Sequence, residues 1–355
     1  MHAFSHPRRL ALLALPGARR AFTLIELMVV IVILSILASL MLSGLTGARQ
    51  RAKIDKTRST IRKLHEIVIP LYESYVEKRY SPIATVADRK TTIAAKQLCW
   101  KRMLMTLDMP DQWADVGIPA FGATVSSVGY TPSAASFRYA AIKSGLPTLS
   151  PAYESAECLQ MIVVRGGFAP DAVEQFRSDE IGDFDKDGAA EFLDGWGRPI
   201  SFIRWPAGAD WSVVQQTAAN VAAAITAGTL PAGSKPAPDP MDPLKVSADN
   251  INDANSTYDT ALIPLIYSGG PNSSLDDPTP TGGDYGLNTS RMVAASGWLQ
   301  GVDPTSASFV TQVSGALGKT RRPTSPPWVG AVNPTDPLAA RAARDNITNH
   351  DLITK

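Results

Sequence analysis

The chain has 355 residues and a formal net charge of +1, so its overall charge gives no argument for binding nucleic acid or an acidic substrate. Hydrophobic residues make up 45%, which is ordinary for a folded protein, and the length suits a membrane anchor plus one large domain or two small ones. Two cysteines, Cys99 and Cys158, are too few for a disulfide scaffold. We predict that they form one bridge if the domain is extracytoplasmic, and two buried thiols are the alternative.

The first predicted element is an apolar stretch from Phe22 to Leu42, long enough to cross about 30 Å of hydrocarbon as a helix. It exceeds the apolar core of a cleaved secretory signal, about 7–15 residues, so we expect it to stay on the mature protein. One acid, Glu26, lies near its start, and an acid within a membrane span is by default functional. A cut between Ala21 and Phe22 would create an α-amino group whose charge could neutralise Glu26, on the same chain or on a neighbour.

The stretch AFTLIELMVV, residues 21–30, resembles the cleavage and methylation motif of type IV pilins and type II secretion pseudopilins. The resemblance implies that prepilin peptidase removes a basic leader, residues 1–21, and methylates the new N-terminus at Phe22. It also implies that Glu26 pairs with the N-terminus of an adjacent subunit during assembly. Ala21 stands where the family usually has Gly. A plain signal anchor with an accidental Glu is the alternative interpretation.

The charges around the span give conflicting indications of its orientation. The leader arginines favour a cytoplasmic N-terminus, whereas the basic residues behind the span oppose it. The opposing residues are Arg49, Arg51, Lys53, Lys56, Arg58, Arg62 and Lys63. The resemblance implies a single-pass protein of the inner membrane with a cytoplasmic N-terminus and a periplasmic head.

Behind the span, apolar side chains recur every three or four residues, which predicts an amphipathic helix packed against the head. The stripe consists of Ile54, Thr57, Ile61, Leu64, Val68, Leu71 and Tyr75. We therefore expect an N-terminal helical segment over residues 22–80, with the membrane span at about 22–45. Gly44 and Gly47 should weaken this helix, and Pro70 should kink or end it.

The head, residues 81–355, shows short elements joined by turns. We predict a helix at Lys96–Leu107, a helix or strand at Cys158–Val164, and strands at Pro199–Trp205, at Ala261–Gly270 and, less clearly, at Met292–Trp298. Pro264 places the second strand at a sheet edge. Irregular loops are expected at about 206–249, with a helix in VVQQTAANVAAAITAG, and at about 305–337. These elements predict an α+β fold in which the N-terminal helix packs on a small antiparallel sheet with long loops, and the resemblance implies that this fold is pilin-like.

Two short stretches of the head resemble the major pseudopilin of type II secretion. DGWGRPISF, residues 194–202, is similar to its turn-and-strand block DPWGNPY, and IYSGGPN, residues 266–272, is similar to the start of its C-terminal loop. The head is much longer than a typical pseudopilin head.

The densest polar cluster is DFDKDGAAEFLD, residues 183–194, which has the spacing of an EF-hand calcium loop with Gly188 at position six. Its acids are Asp183, Asp185, Asp187, Glu191 and Asp194. Oxygen ligands without His or Cys favour calcium over zinc, so we predict a structural Ca²⁺ site, with a solvated turn as the alternative. A second acidic stretch with Asp276, Asp277 and Asp284 is better interpreted as a solvated loop.

No catalytic motif is evident: there is no P-loop and no serine in a G-x-S-x-G sequence, and the four histidines lie outside nucleophile or zinc motifs. We therefore predict a structural subunit of a pilus or pseudopilus filament rather than an enzyme. A type II secretion pseudopilin is favoured. The alternatives are a type IV pilus or DNA-uptake subunit, or a membrane-anchored calcium-binding or adhesive domain that does not polymerise. The implied partners are prepilin peptidase, identical or related pilin subunits and the membrane.

Overall fold

The computed structural model describes part of the chain, in several ranges. They are 23–78, 90–117, 133–147, 149, 151–169, 171–206, 209, 212, 214, 218–233, 239–241, 262–272 and 346–353. The chain divides into two compact units, Met1–Arg49 and Gln50–Lys355. The strand expected at 292–298 and the loop expected at 305–337 lie outside the described residues.

The longest element is helix α1, Leu24–Glu77. From Gln50 onward, where α1 belongs to the second unit, one side of the helix is buried. Ile61, Leu64 and Val68 are fully buried, which confirms the predicted apolar stripe. Thr57, Leu71 and Tyr75 of the same stripe are also buried, and Ile54 is partly buried. The period of the apolar residues matches the helical turn, so burial follows the sequence pattern directly.

Pro70 does not end helix α1, which continues to Glu77, so of the two predicted effects the one in which the helix ends at this residue is wrong. Pro70 and Glu66 are both exposed, so the carbonyl that loses its helical donor can be hydrated. The buried side chains on either side of Pro70 keep the helix in place. The helix also continues through Gly44 and Gly47.

The other helices among the described residues belong to the second unit. They are α2 (Lys90–Asp108), α3 (Ala134–Gly145), α4 (Glu154–Arg165), α5 (Ala218–Thr226) and α6 (His350–Ile353), with 3₁₀ turns at Trp113–Asp115, Val173–Gln175 and Gly270–Asn272. The predicted helices at 96–107 and within 213–228 are confirmed by α2 and α5. The segment 158–164, which the sequence left open between helix and strand, is helical in α4.

Two small antiparallel sheets complete the described fold. Strand β1 (Ile181–Gly182) pairs with β2 (Glu191–Phe192), and β4 (Leu265–Ser268) lies between β3 (Ser201–Ile203) and β5 (Ile347–Thr348). The edge position predicted for β4 is therefore wrong. The reason is that β4 begins one residue after Pro264, so the proline withdraws no donor from either ladder.

Helix α4 packs against the strands, and the Ser155 hydroxyl joins it to β3. This hydroxyl donates to the Phe202 carbonyl at 2.8 Å and accepts from the Phe202 N–H at 2.9 Å. The buried faces of α1 and α4 and the inner side chains of β2, β3 and β4 form one hydrophobic core. This arrangement of a long N-terminal helix and small antiparallel sheets confirms the α+β, pilin-like fold class.

Contacts of helix α1 with the segment 176–195 also fix that segment. Glu180 is buried, and its carboxylate accepts from the Thr60 hydroxyl at 2.6 Å and pairs with the Lys63 ammonium at 2.8 Å. The Gly195 N–H donates to the Thr57 hydroxyl at 2.8 Å. The acidic loop, residues 183–194, thus lies between two points that are attached to α1.

Candidate functional site

The start of helix α1 is closed by a capping box formed by Thr23 and Glu26. The Glu26 Oε2 atom accepts from the Thr23 N–H at 2.8 Å and from the Thr23 hydroxyl at 2.9 Å. In return the Thr23 Oγ1 accepts from the Glu26 N–H at 3.3 Å. The pattern T-x-x-E is the recognised sequence signature of this arrangement. Glu26 therefore has a local structural role besides the assembly role that the resemblance implies.

Behind this cap, in the part of α1 that belongs to the first unit, the apolar side chains that the structure describes are exposed. Leu24, Ile33 and Leu40, for example, expose 77%, 52% and 65% of their surface. Helix α1 is long and apolar enough to cross a membrane, with a mean hydropathy of 2.8 in its most apolar window. Ala21 and Phe22, the predicted cleavage and methylation residues, lie outside the described residues.

The acidic loop is a series of tight turns stabilised by its own carboxylates. Asp183 Oδ2 accepts from the Gly188 N–H at 3.1 Å, and Asp187 Oδ1 accepts from the Ala189 N–H at 2.9 Å. Lys186 and Gly188 have positive φ angles of 64° and 100°. Gly188 suits this conformation because it lacks a Cβ, which agrees with its position at the sharp turn of the loop.

Two sets of three carboxylates converge around Asp185. One oxygen from each of Asp183, Asp185 and Glu191 lies within 4.8 Å of the others, and the same holds for Glu157, Asp185 and Asp187. We call these five residues the acidic cluster. Four of them were predicted from the loop sequence, whereas Glu157 comes from helix α4.

Glu157 was missed because it lies 26 residues before the loop begins. It is 1% exposed and belongs to the buried face of α4, together with Cys158 and Met161. An acid on the apolar face of a helix is the signal that could have identified it. The Trp113 indole N–H donates to Glu157 Oε2, which fixes one side of the carboxylate.

Burial is the largest cause of the pKa shifts of the two glutamates in the acidic cluster. It raises the pKa of Glu157 to about 8, against the lowering effect of the Trp113 hydrogen bond, and the neighbouring Asp187, Glu191 and Asp185 raise it further. Burial also raises the pKa of Glu191 to about 8, although the Phe184 N–H donates to its Oε2 at 2.9 Å. A cation is the partner that would favour the charged forms.

Asp194, the acid at the twelfth loop position, lies in neither set of three. Its Oδ1 accepts from the Trp196 and Arg198 N–H groups at 2.8 and 3.0 Å, and its Oδ2 accepts from the Ser268 hydroxyl at 2.6 Å. Burial raises its pKa, and these hydrogen bonds oppose the shift. The structure thus assigns Asp194 to the turn before β3 and to its junction with β4.

The two cysteines remain a prediction. Cys158 is fully buried in α4, and the side chain of Cys99 lies outside the described residues. The second acidic stretch, with Asp276, Asp277 and Asp284, also lies outside them.

His350 and Ser212 form a buried hydrogen-bonded pair of the kind found between the serine and histidine of a catalytic triad. His350 Nε2 lies 3.2 Å from the Pro264 carbonyl, which can only accept, so Nδ1 accepts from the Ser212 hydroxyl at 2.7 Å. Burial lowers the pKa of His350 to about 4, which His65 reinforces and Asp351 opposes. Both members of the pair are almost completely buried, so we assign the contact to the core.

Comparison with known proteins identifies the N-terminal region. Residues 17–42 match the family model for the prokaryotic N-terminal methylation motif. The N-terminal segment is a prepilin-type methylation motif. The match confirms the resemblance to type IV pilins and pseudopilins and supports a type IV pilin-like precursor that prepilin peptidase processes. No curated protein and no solved structure matches the chain.

The prepilin-type motif also sets the broader interpretation of the chain. It points to a structural subunit rather than an enzyme, and it implies assembly into pilin polymers. Together with the exposed apolar part of α1, it indicates anchoring to a membrane by a single helix.

Proposed function

We propose that the chain is a subunit of a pseudopilus of the type II secretion kind, inserted in the inner membrane with its N-terminus cytoplasmic and its head periplasmic. The observation that carries the proposal is the methylation motif followed directly by an apolar helix whose side chains are exposed. Such a surface is unstable in water and is covered either by lipid or by the same helix of neighbouring subunits. The protein then acts mechanically: helices bundle inside the filament and heads cover its outside.

One observation favours a pseudopilin over a type IV pilus or DNA-uptake subunit: the blocks at 194–202 and 266–272 resemble the major pseudopilin. In the fold these two blocks are in contact, because the Ser268 hydroxyl donates to Asp194. A non-polymerising anchored domain remains the candidate from a different class, and it would keep its leader.

The capping box suggests how Glu26 serves assembly. Both Thr23 donors bind the Oε2 atom, so Oε1 carries no hydrogen bond among the described residues. We propose that this carboxylate, held at the start of the helix, pairs with the charged N-terminus of the next subunit. In lipid, the attraction between the two groups is weakly screened, and leaving the acid without a cation is costly.

The test uses variants that separate capping from charge. Glu26→Gln keeps an oxygen that can accept from Thr23 but removes the charge, since Gln also serves in capping boxes. Thr23→Val removes the capping hydroxyl and keeps the charge. Each variant replaces the native copy in the host, and intact-mass analysis of membrane extracts is combined with quantification in sheared filaments.

We expect all variants to begin at methylated Phe22, Glu26→Gln to be absent from filaments, and Thr23→Val to be present in them. Thr23→Ser, which keeps the cap, is the matched control. A mass that includes residues 1–21 would refute processing. Normal filament content of Glu26→Gln would refute the charge pairing. Loss of secreted proteins in a deletion strain, with DNA uptake unchanged, would support the pseudopilus over the pilus.

A further inference from the structure

The acidic cluster brings acceptors together without enough donors to satisfy them. Oε1 of Glu157, Oε1 of Glu191 and both oxygens of Asp185 are buried and have no hydrogen-bond partner among the described residues. Glu157 and Glu191 are 1% and 0% exposed, so water does not reach them from the surface. An unsatisfied buried acceptor costs about 1–3 kcal/mol, and more when it is charged. The fold therefore holds these side chains in an arrangement that is unfavourable by itself.

A divalent cation resolves this conflict, because it satisfies several carboxylate oxygens at once. Calcium binds oxygen at about 2.3–2.6 Å, so two ligands on opposite sides of the ion are about 4.8 Å apart. The oxygens of each set of three lie within 4.8 Å of one another, which fits this requirement. Carboxylates without nitrogen or sulfur ligands are the hard donors that calcium prefers.

We propose that the acidic cluster binds Ca²⁺, with Asp185 as the ligand shared by both sets of three and Glu157 as the ligand from outside the loop. The site differs from an EF-hand loop in two respects: a helix residue takes part, and the acid at the twelfth position does not. It is independent of filament assembly, since all five ligands belong to one chain.

Calcium at this position would join helix α4 to the acidic loop. Helix α4 is already attached to β3 through Ser155, and the loop connects β1 with β2. Binding would therefore cross-link the helix and both sheets at one point. The expected consequence is a more stable head, because the ion binds the folded state in preference to the unfolded one.

The site is tested on the full chain in detergent micelles, from which bound metal has been removed with a chelator. Two measurements are made. The first is the melting temperature during titration with CaCl₂ or MgCl₂. The second is Tb³⁺ luminescence excited through tryptophan, because the Trp113 indole contacts Glu157 directly. With a dissociation constant in the range of extracellular calcium modules, about 10 mM Ca²⁺ should raise the melting temperature by about 3–10 °C.

Glu157→Gln is the decisive variant. It removes a carboxyl group whose ionised form is unfavourable when buried, so it should melt at the same or a higher temperature without calcium, yet lose most of the calcium-dependent rise and of the Tb³⁺ signal. A misfolded variant cannot give this combination. Asp185→Asn should lose the calcium response completely. Glu174→Gln removes an exposed acid outside the cluster and is the matched control.

Asp194→Asn tests whether Asp194 stabilises the turn before β3, as the structure indicates, or binds calcium, as the EF-hand spacing predicts. Because Asp194 is hydrogen-bonded to the turn, this variant should be less stable but keep the calcium-dependent rise. The proposal is overturned if calcium leaves the melting temperature of the unmodified chain unchanged, if Glu157→Gln responds as the unmodified chain does, or if Mg²⁺ gives an equal rise.

Discussion

Gly195, in the turn after the acidic loop, lies directly against helix α1, and we expect Gly195→Ala to destabilise the protein. A Cβ at this position would lie 2.2 Å from the Lys53 carbonyl oxygen and 2.8 Å from the Lys53 carbonyl carbon and Cα. These atoms belong to a helix backbone, so they cannot rotate away as the end of a side chain can. The turn would have to move by about 1 Å to reach ordinary contact distance.

The magnitude follows from what that movement disturbs. The Gly195 N–H donates to the buried Thr57 hydroxyl at 2.8 Å, and this hydroxyl donates to the Lys53 carbonyl at 2.9 Å. Overpacking of this kind costs about 1–3 kcal/mol, and loss of the hydrogen bond adds about 1 kcal/mol. We therefore expect the free energy of unfolding to fall by about 2–4 kcal/mol.

Urea unfolding of the full chain in detergent micelles, followed by tryptophan fluorescence and circular dichroism, measures this change. Gly145→Ala is the matched control. Gly145 lies in helix α3, and a Cβ at this position would meet nothing within 4 Å. It should be neutral or stabilise by up to about 1 kcal/mol. An unfolding midpoint for Gly195→Ala equal to that of the unmodified chain would refute the argument from close approach.

The same unfolding assay checks two further predictions. Arg204→Met should lower the free energy of unfolding by about 3–5 kcal/mol, because it leaves the buried Asp111 and Asp115 without their cation. The Arg204 guanidinium is 2% exposed and pairs with these two carboxylates at 3.2 and 3.1 Å. Arg165→Met, at an exposed position, is the control. Burial lowers the pKa of His350 from 6.5 to about 4, so the neutral imidazole stabilises the fold above pH 6.5, and this contribution is lost as the pH falls towards 4. Between pH 7 and pH 5, the free energy of unfolding of the unmodified chain should therefore fall by about 2 kcal/mol more than that of His350→Gln. An identical pH dependence of the two would contradict the buried neutral imidazole.

The long helix and its buried stripe could be predicted because one helical period governs both the sequence and the packing. The acidic loop was located for a similar reason: turn residues and carboxylates alternate within twelve positions, and local geometry decides where they point. Pro70 shows the limit of local rules. Its missing donor disturbs only the exposed side of a helix that buried side chains hold in place.

Other features depend on contacts between distant parts of the chain, which spacing does not contain. The cluster gains Glu157 because helix α4 packs beside the loop, and no periodicity connects the two segments. The capping box at Thr23 and Glu26 is different: its T-x-x-E signature is local and visible in the sequence. Capping and the proposed pairing in assembly concern the same glutamate, and the two roles are compatible.

The departure of DGWGRP from the pseudopilin block DPWGNP has a physical explanation in the contact with helix α1. A proline at Gly195 would have no N–H to donate to Thr57, and its ring would meet the Lys53 carbonyl. The two blocks that resemble the pseudopilin meet where Asp194 accepts from Ser268, so that acid is occupied by the turn. The loop then supplies four carboxylates to the acidic cluster, and Glu157 of helix α4 supplies the fifth. In our proposal, Glu157 therefore takes the place of the ligand that an EF-hand loop has at its last position.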